Sequence, residues 1–333
     1  MSIKLNFEDK FLISLLFSEK KIPKHVFLKL NLDNLIKISS QHLIIPCLYT
    51  SLRNKRYLSF FEKQFCDYIK YIYEKNLERN LILRNEIFFL SKILRDNNID
   101  HLFLKGSALI LNNIFEDIGE RMVGDIDFLI RKDQQIKVAQ ILEKNKYLKI
   151  KDYIFEFRHL PRRINKKKLF AIEPHLKLIS SKKKYMIEEN VFKSCINKKI
   201  KTPNHLDLIY HSIYNQQIND NGNYFINYNY RNIYDVYSLV NKYKIKLEKI
   251  EKSKVIKKYF KILSFLNIYK AESLKYDLEY LRFKFRYKYK LYSLVENKLI
   301  KLGLRICFIP KQANKFVLEK SYRQYIFKRL YSE

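Results

Sequence analysis

Five glycines serve 333 residues, and three of them, Gly106, Gly119 and Gly124, fall within one stretch of 19. A chain that avoids glycine this strongly keeps it where a side chain would block a turn or a close approach. The same stretch marks a change of apolar period. Before Asn97-Asn98, apolar residues recur at spacings of three and four over 7–17, 26–38 and 60–94, with Pro23 and Pro46 as punctuation. That spacing predicts helices, the last being two helices or one bent helix. Beyond it, His101-Leu-Phe-Leu104 reads as a short buried strand, and Lys105-Gly106-Ser107 opens a helix running to about Asn113.

A turn around Gly119 then leads to a strand over 125–130, a helix over 133–145 and extended segments over 147–151 and 153–159. A basic turn at 166–168 precedes a strand over 169–178. From Pro203 the pattern is helical again, through 205–217, 231–243 and the basic tail. The expected class is α+β: a helical region over 1–84, a mixed core over 85–185, and a helical, strongly basic region over 186–333.

At 47% apolar and 15% aromatic, the chain is too hydrophobic to stay disordered. No apolar run approaches the roughly 20 residues that cross a bilayer, and acidic residues precede the first apolar stretch, the wrong order for a secretory signal. Cytoplasmic residence with no membrane partner is expected. Cys47, Cys66, Cys195 and Cys307 lie far apart without a C-x-x-C pair, so neither a zinc knuckle nor a disulfide framework is indicated. The formal charge is +32. The codon bias of an AT-rich genome explains some of the lysine but not the shortage of carboxylates, which points to a polyanionic partner. Residues 241–333 hold 25 basic and 8 acidic side chains, over half of the excess.

Gly106-Ser107 at a strand-to-helix turn would expose backbone N–H groups to a phosphate, with Lys105 and the Ser107 hydroxyl as further donors. Eighteen residues on, Gly124-Asp125-Ile-Asp127 opens an apolar strand, and alternation sends both carboxylates to one face. Two adjacent carboxylates need a cation, for which a divalent metal is the commonest solution; a solvated acidic edge is the alternative. Arg121 either orients this loop or contacts a phosphate. Glu173 and His175 share a face of the later strand, so Glu173 would complete a two-metal site, unless that face is merely solvated. His159, just before Pro161-Arg162-Arg163, and His211 are cleft candidates on the acceptor side. Arg231 either lines the cleft or pairs with Asp235 between helices. His25, His42 and His101 read as packing or surface residues. In Arg282-Phe-Lys284-Phe-Arg286-Tyr-Lys288-Tyr-Lys290, cations alternate with aromatics. As strand or helix, Lys284, Arg286 and Lys288 suit a phosphate backbone; an aromatic face on the core with solvated lysines is the alternative.

The blocks Leu104-Lys105-Gly106-Ser107, Arg121-Met-Val-Gly124-Asp125-Ile-Asp127 and Ile172-Glu173-Pro-His175 resemble those of the uncharacterised bacterial nucleotidyltransferase family in the DNA polymerase beta superfold. The resemblance covers roughly 35–245. It implies a polymerase-beta-like core that moves NMP from an NTP to an acceptor with Mg²⁺ or Mn²⁺. Asp125, Asp127 and Glu173 would then be the catalytic, metal-binding carboxylates, and Lys105, Gly106, Ser107, Arg121 and Gly124 would hold the nucleotide. Glu173 stands where the family has aspartate, and the tail beyond Tyr243 has no counterpart. Charge favours RNA as acceptor, a tRNA end above all. The wider superfold adds a toxin or defence role with a neutralising protein partner. A protein side chain or a small hydroxylated molecule stays open as acceptor, as does a catalytically retired nucleic-acid-binding protein, against which the three carboxylates stand.

Overall fold

In the computed structural model, which describes residues 5–150, 158–181, 185–197, 200–246, 249–250, 253–269, 278–318, 322–324 and 326–327, the first hundred residues make five helices. These are α1 (Phe7–Phe17), α2 (Lys24–Phe27), α3 (Leu32–Gln41), α4 (Ile45–Asn54) and α5 (Lys63–Asp96). The expected helix over 26–38 is split because Asn31 starts a new one. Its side chain accepts from the Asn34 N–H at 2.8 Å and caps α3. Pro46 sits in the first turn of α4, where its missing N–H costs nothing. α5 is a single helix of 34 residues, about 50 Å long, and runs unbroken past residue 84.

Five strands follow: β1 (His101–Phe103), β2 (Asp125–Ile130), β3 (Leu148–Lys149), β4 (Arg163–Ile164) and β5 (Ala171–His175). They form one mixed sheet in the order β1-β2-β5-β4-β3. β2 and β5 are parallel, and the other pairs are antiparallel. α6 (Lys105–Leu111) fills the turn between β1 and β2, and α7 (Gln135–Lys144) follows β2. β5 is shorter than the expected 169–178 because Leu176 and Lys177 both turn their N–H groups to the Arg158 carbonyl, at 2.7 and 2.9 Å. Of the extended segment expected over 153–159, residues 153–157 lie outside the described residues, while His159 bridges to His175.

α8 (Glu188–Lys193) leads to a small hairpin of β6 (Ile196–Asn197) and β7 (Lys201–Thr202). Next come α9 (His205–Tyr214), which runs on into a π-helical turn, α10 (Gly222–Phe225), α11 (Tyr230–Lys242) and α12 (Lys254–Phe265). The alternating basic and aromatic segment is helical in α13 (Leu278–Lys288), and α14 (Lys290–Leu318) ends the described architecture. One contiguous apolar core runs from Leu5 to Phe283. The architecture is α+β, a mixed sheet between N- and C-terminal helical regions. Among the described residues no helix is long and apolar enough to cross a membrane.

Candidate active site

The parallel pairing of β2 with β5 sets Asp127 directly opposite Glu173 and Asp125 opposite Ala171. His175, two residues on from Glu173, points to the same side and reaches Asp127, its Nε2 lying 2.8 Å from Oδ1. Because an ionised carboxylate only accepts, Nε2 carries the proton and donates it. The ligand atoms of Asp127, Glu173 and His175 lie within 4.8 Å of one another. With His175 Nε2 carrying the proton, the two hard carboxylates are the groups of this cluster that fit a divalent cation, and His175 orients one of them.

Local charges divide the work of these groups. Burial alone would raise the Asp127 carboxyl, but the Lys105 ammonium at 2.7 Å and the His175 hydrogen bond hold it well below the ordinary carboxylate range. Burial and the neighbouring Asp127 charge raise Glu173 instead. Burial pushes the His175 ring down to about 4 despite Asp127, so it is neutral near pH 7. Asp125 pairs with Arg162, which also lies 4.0 Å from Glu173. Lys105 itself takes φ of 48°, a left-handed conformation that L side chains rarely adopt outside functional sites and turns. The Leu104 N–H donates to the Asp127 carbonyl at 2.9 Å and ties this junction to β2.

The glycines and Arg121 are placed differently from a simple phosphate cradle. A Cβ built on Gly106 would meet the Val123 methyl carbons at 3.0 and 3.1 Å. The space beside Gly106 is therefore filled by protein, and the glycine lets α6 approach the loop carrying Val123. Ser107 is buried, with its hydroxyl unpartnered among the described residues. Gly124 faces open space. Arg121 is buried and bonds Asp235 through two nitrogens, at 2.8 and 2.9 Å. It clamps the loop before Asp125 to α11. The pair weighed above as Arg231–Asp235 is thus made by Arg121. Arg231 lies beside it, held down to about 10 by burial and the Arg121 charge.

The His159 ring lies tilted beside that of His175, with ring centroids 5.5 Å apart. His211 on α9 is buried with Nε2 unpartnered among the described residues, and burial together with the charge of Lys105 pushes it down to about 3. The turn Pro161-Arg162-Arg163 divides its cations. Arg162 faces the carboxylates, whereas Arg163 is buried on the Tyr147 carbonyl and Glu143, both at 3.1 Å. Arg158, not foreseen, reaches Asn215 at 3.0 Å, and its charge acts on Asp127 and Glu173. Its one sequence signal is the clustering of 158, 162 and 163 around a proline. Lys284, Arg286 and Lys288 stand apart on α13. Arg286 is held by Glu296, and by Asn297 at 2.7 Å, so its guanidinium braces α13 against α14, while the Lys288 ammonium lies 4.9 Å from the Tyr289 ring.

No curated protein matches this chain. A family model does, over residues 29–272, a span that contains the five-stranded sheet with Asp125, Asp127 and Glu173. The chain belongs to this family, described as uncharacterised nucleotidyltransferase.

Proposed function

We propose that this protein transfers NMP from an NTP to a hydroxyl of RNA, using a divalent cation, with 85–185 as the catalytic core. The observation that carries the reading is the register that sets Asp127 opposite Glu173, with Lys105 on the former and His175 behind both. Asp127 and Glu173, with Asp125 on the same strand edge, would hold Mg²⁺ or Mn²⁺. Such ions would offset charge on the phosphate oxygens.

The chain's own groups supply the rest. Lys105, Arg162 and Arg158 bring positive charge to the triphosphate. Glu173, raised above its ordinary value by burial and the Asp127 charge, accepts the proton of the acceptor hydroxyl as its oxygen bonds the α-phosphorus and the bond to pyrophosphate breaks. His175 keeps the Asp127 carboxylate oriented. The charge of +32 supports RNA as acceptor. A tRNA end, a toxin or defence role and a neutralising protein partner rest on the sequence alone.

The test incubates the protein with each α-labelled NTP, Mg²⁺ or Mn²⁺, and total RNA or total protein. Label should enter RNA, and Asp127→Asn should cut transfer by about a thousandfold or more. Label on protein would move the acceptor, and wild-type turnover in Asp127→Asn would sink the site.

A further inference from the structure

α13 and α14 lie outside residues 29–272, the stretch that matches the family. Their mutual placement is fixed by charge. Glu296 of α14 takes both Arg282 and Arg286 of α13, and Asn297 takes a further nitrogen of Arg286. Along α14, positions 293, 296, 297, 300 and 304 are half-buried. Their spacing marks one helical side, the one turned to the rest of the protein.

The other side carries Val295, Leu299, Leu302, Ile306 and Ile309, spaced four, three, four and three apart and 50, 62, 54, 55 and 57% exposed. This is a continuous apolar row of about 20 Å. Soluble surfaces rarely leave so many large apolar side chains in line. Lys298, Lys301 and Arg305 are exposed, each one position ahead of a row residue, and form a cationic flank beside it. Glu296 is the one acidic residue from 290 to 318, and it is already committed to two arginines.

We propose that the outward face of α14 lies on the anionic surface of a lipid bilayer, with the apolar row at the acyl boundary and Lys298, Lys301 and Arg305 on lipid phosphates. Charge selects this occupant. The three-four spacing also suits helix pairing, but a second copy would bring a cationic flank against its like with no carboxylate to answer it. Phosphate backbone alone would leave the apolar row in water. The sequence argument against a membrane partner concerned crossing, which needs a long apolar run; lying in the interface needs a stripe.

The chain has no tryptophan, so Leu302→Trp places a lone fluorescent reporter in the row of the full-length protein. With vesicles of equal phosphatidylglycerol and phosphatidylcholine, its emission should shift to the blue and the protein should sediment with them. Binding to phosphatidylcholine alone should be at least about tenfold weaker. The triple variant Leu299→Ser/Leu302→Ser/Ile306→Ser changes exposed positions, and should keep the wild-type circular dichroism melt while losing sedimentation. Any of three results overturns the proposal: no blue shift, equal binding to neutral vesicles, or a dimer in solution that the triple variant dissociates.

Discussion

Replacing Asp235 with leucine should cost about 3–5 kcal/mol of folding stability, because it leaves Arg121 charged in the interior. The side chains of Arg121 and Asp235 are 9 and 6% exposed, and their two parallel bonds of 2.8 and 2.9 Å satisfy the guanidinium on one edge. An arginine cannot escape burial by losing its proton at any working pH, so the full penalty falls on the folded state. Arg121→Met should be costly for the converse reason. The double variant Arg121→Met/Asp235→Leu removes both charges and should recover most of the loss. Urea denaturation measures this directly. With a slope of about 2–3 kcal/mol/M, each single change should lower the midpoint by about 1–2.5 M at an unchanged slope. The reasoning is refuted if both single variants cost under about 1 kcal/mol, or if the double is no more stable than either. A stable Arg121→Met that has lost only NTP affinity would make Arg121 a phosphate contact after all.

Gly106→Ala should destabilise by about 1 kcal/mol through the Val123 methyl contacts, and Val123→Ala alongside it should restore most of that; an unaffected Gly106→Ala melt would show the space to be open. Burial holds His42 down to about 4, with its Nδ1 accepting from the Tyr230 N–H at 3.3 Å. A depressed histidine gives stability that is complete above its unfolded value near 6.5 and is lost as pH falls toward 4. Wild type should therefore lose about 2 kcal/mol more than His42→Gln between pH 7.5 and 5, measured by urea midpoints, and parallel losses would exclude His42 as the cause. Lys105→Met removes the cation on Asp127, so the Asp127 carboxyl should titrate at higher pH by carbon-detected NMR while transfer falls; an unmoved carboxyl would mean that His175 alone holds it down.

The strand over 125–130 was legible because alternation sets two carboxylates on one face of an apolar run, and Glu173 stood out as a charge among apolar neighbours. What joins them was not. The parallel register that puts Asp127 beside Glu173 depends on pairing between residues 46 apart in the chain, which no local period encodes. Arg231 looked the natural partner of Asp235 at a spacing of four, yet the tertiary partner is Arg121, 114 residues away. β4 has two residues, too few to show a period, so no strand was expected at Arg163. The segment Arg282 to Lys290 alternates as a strand would. It nonetheless reads at 3.6 as well, with Phe283 and Tyr287 on one helical face, their rings 4.5 Å apart, and Arg282 and Arg286 together on Glu296. A period of two and a helical period share these positions, and packing decided between them.

Lys105 on Asp127 and Arg162 between Asp125 and Glu173 make the strand edge electrically self-contained, with the chain supplying its own tethered counter-ions. With these cations offsetting most of the carboxylate charge, chelation should stop transfer while changing the melting temperature little. Any divalent ion must instead displace cations held at high local concentration by covalent attachment. A triphosphate arriving with the ion offers Lys105 and Arg162 an alternative anion to move to. On the proposed function, loading would be an exchange of partners, and nucleotide and metal together should bind more tightly than either alone.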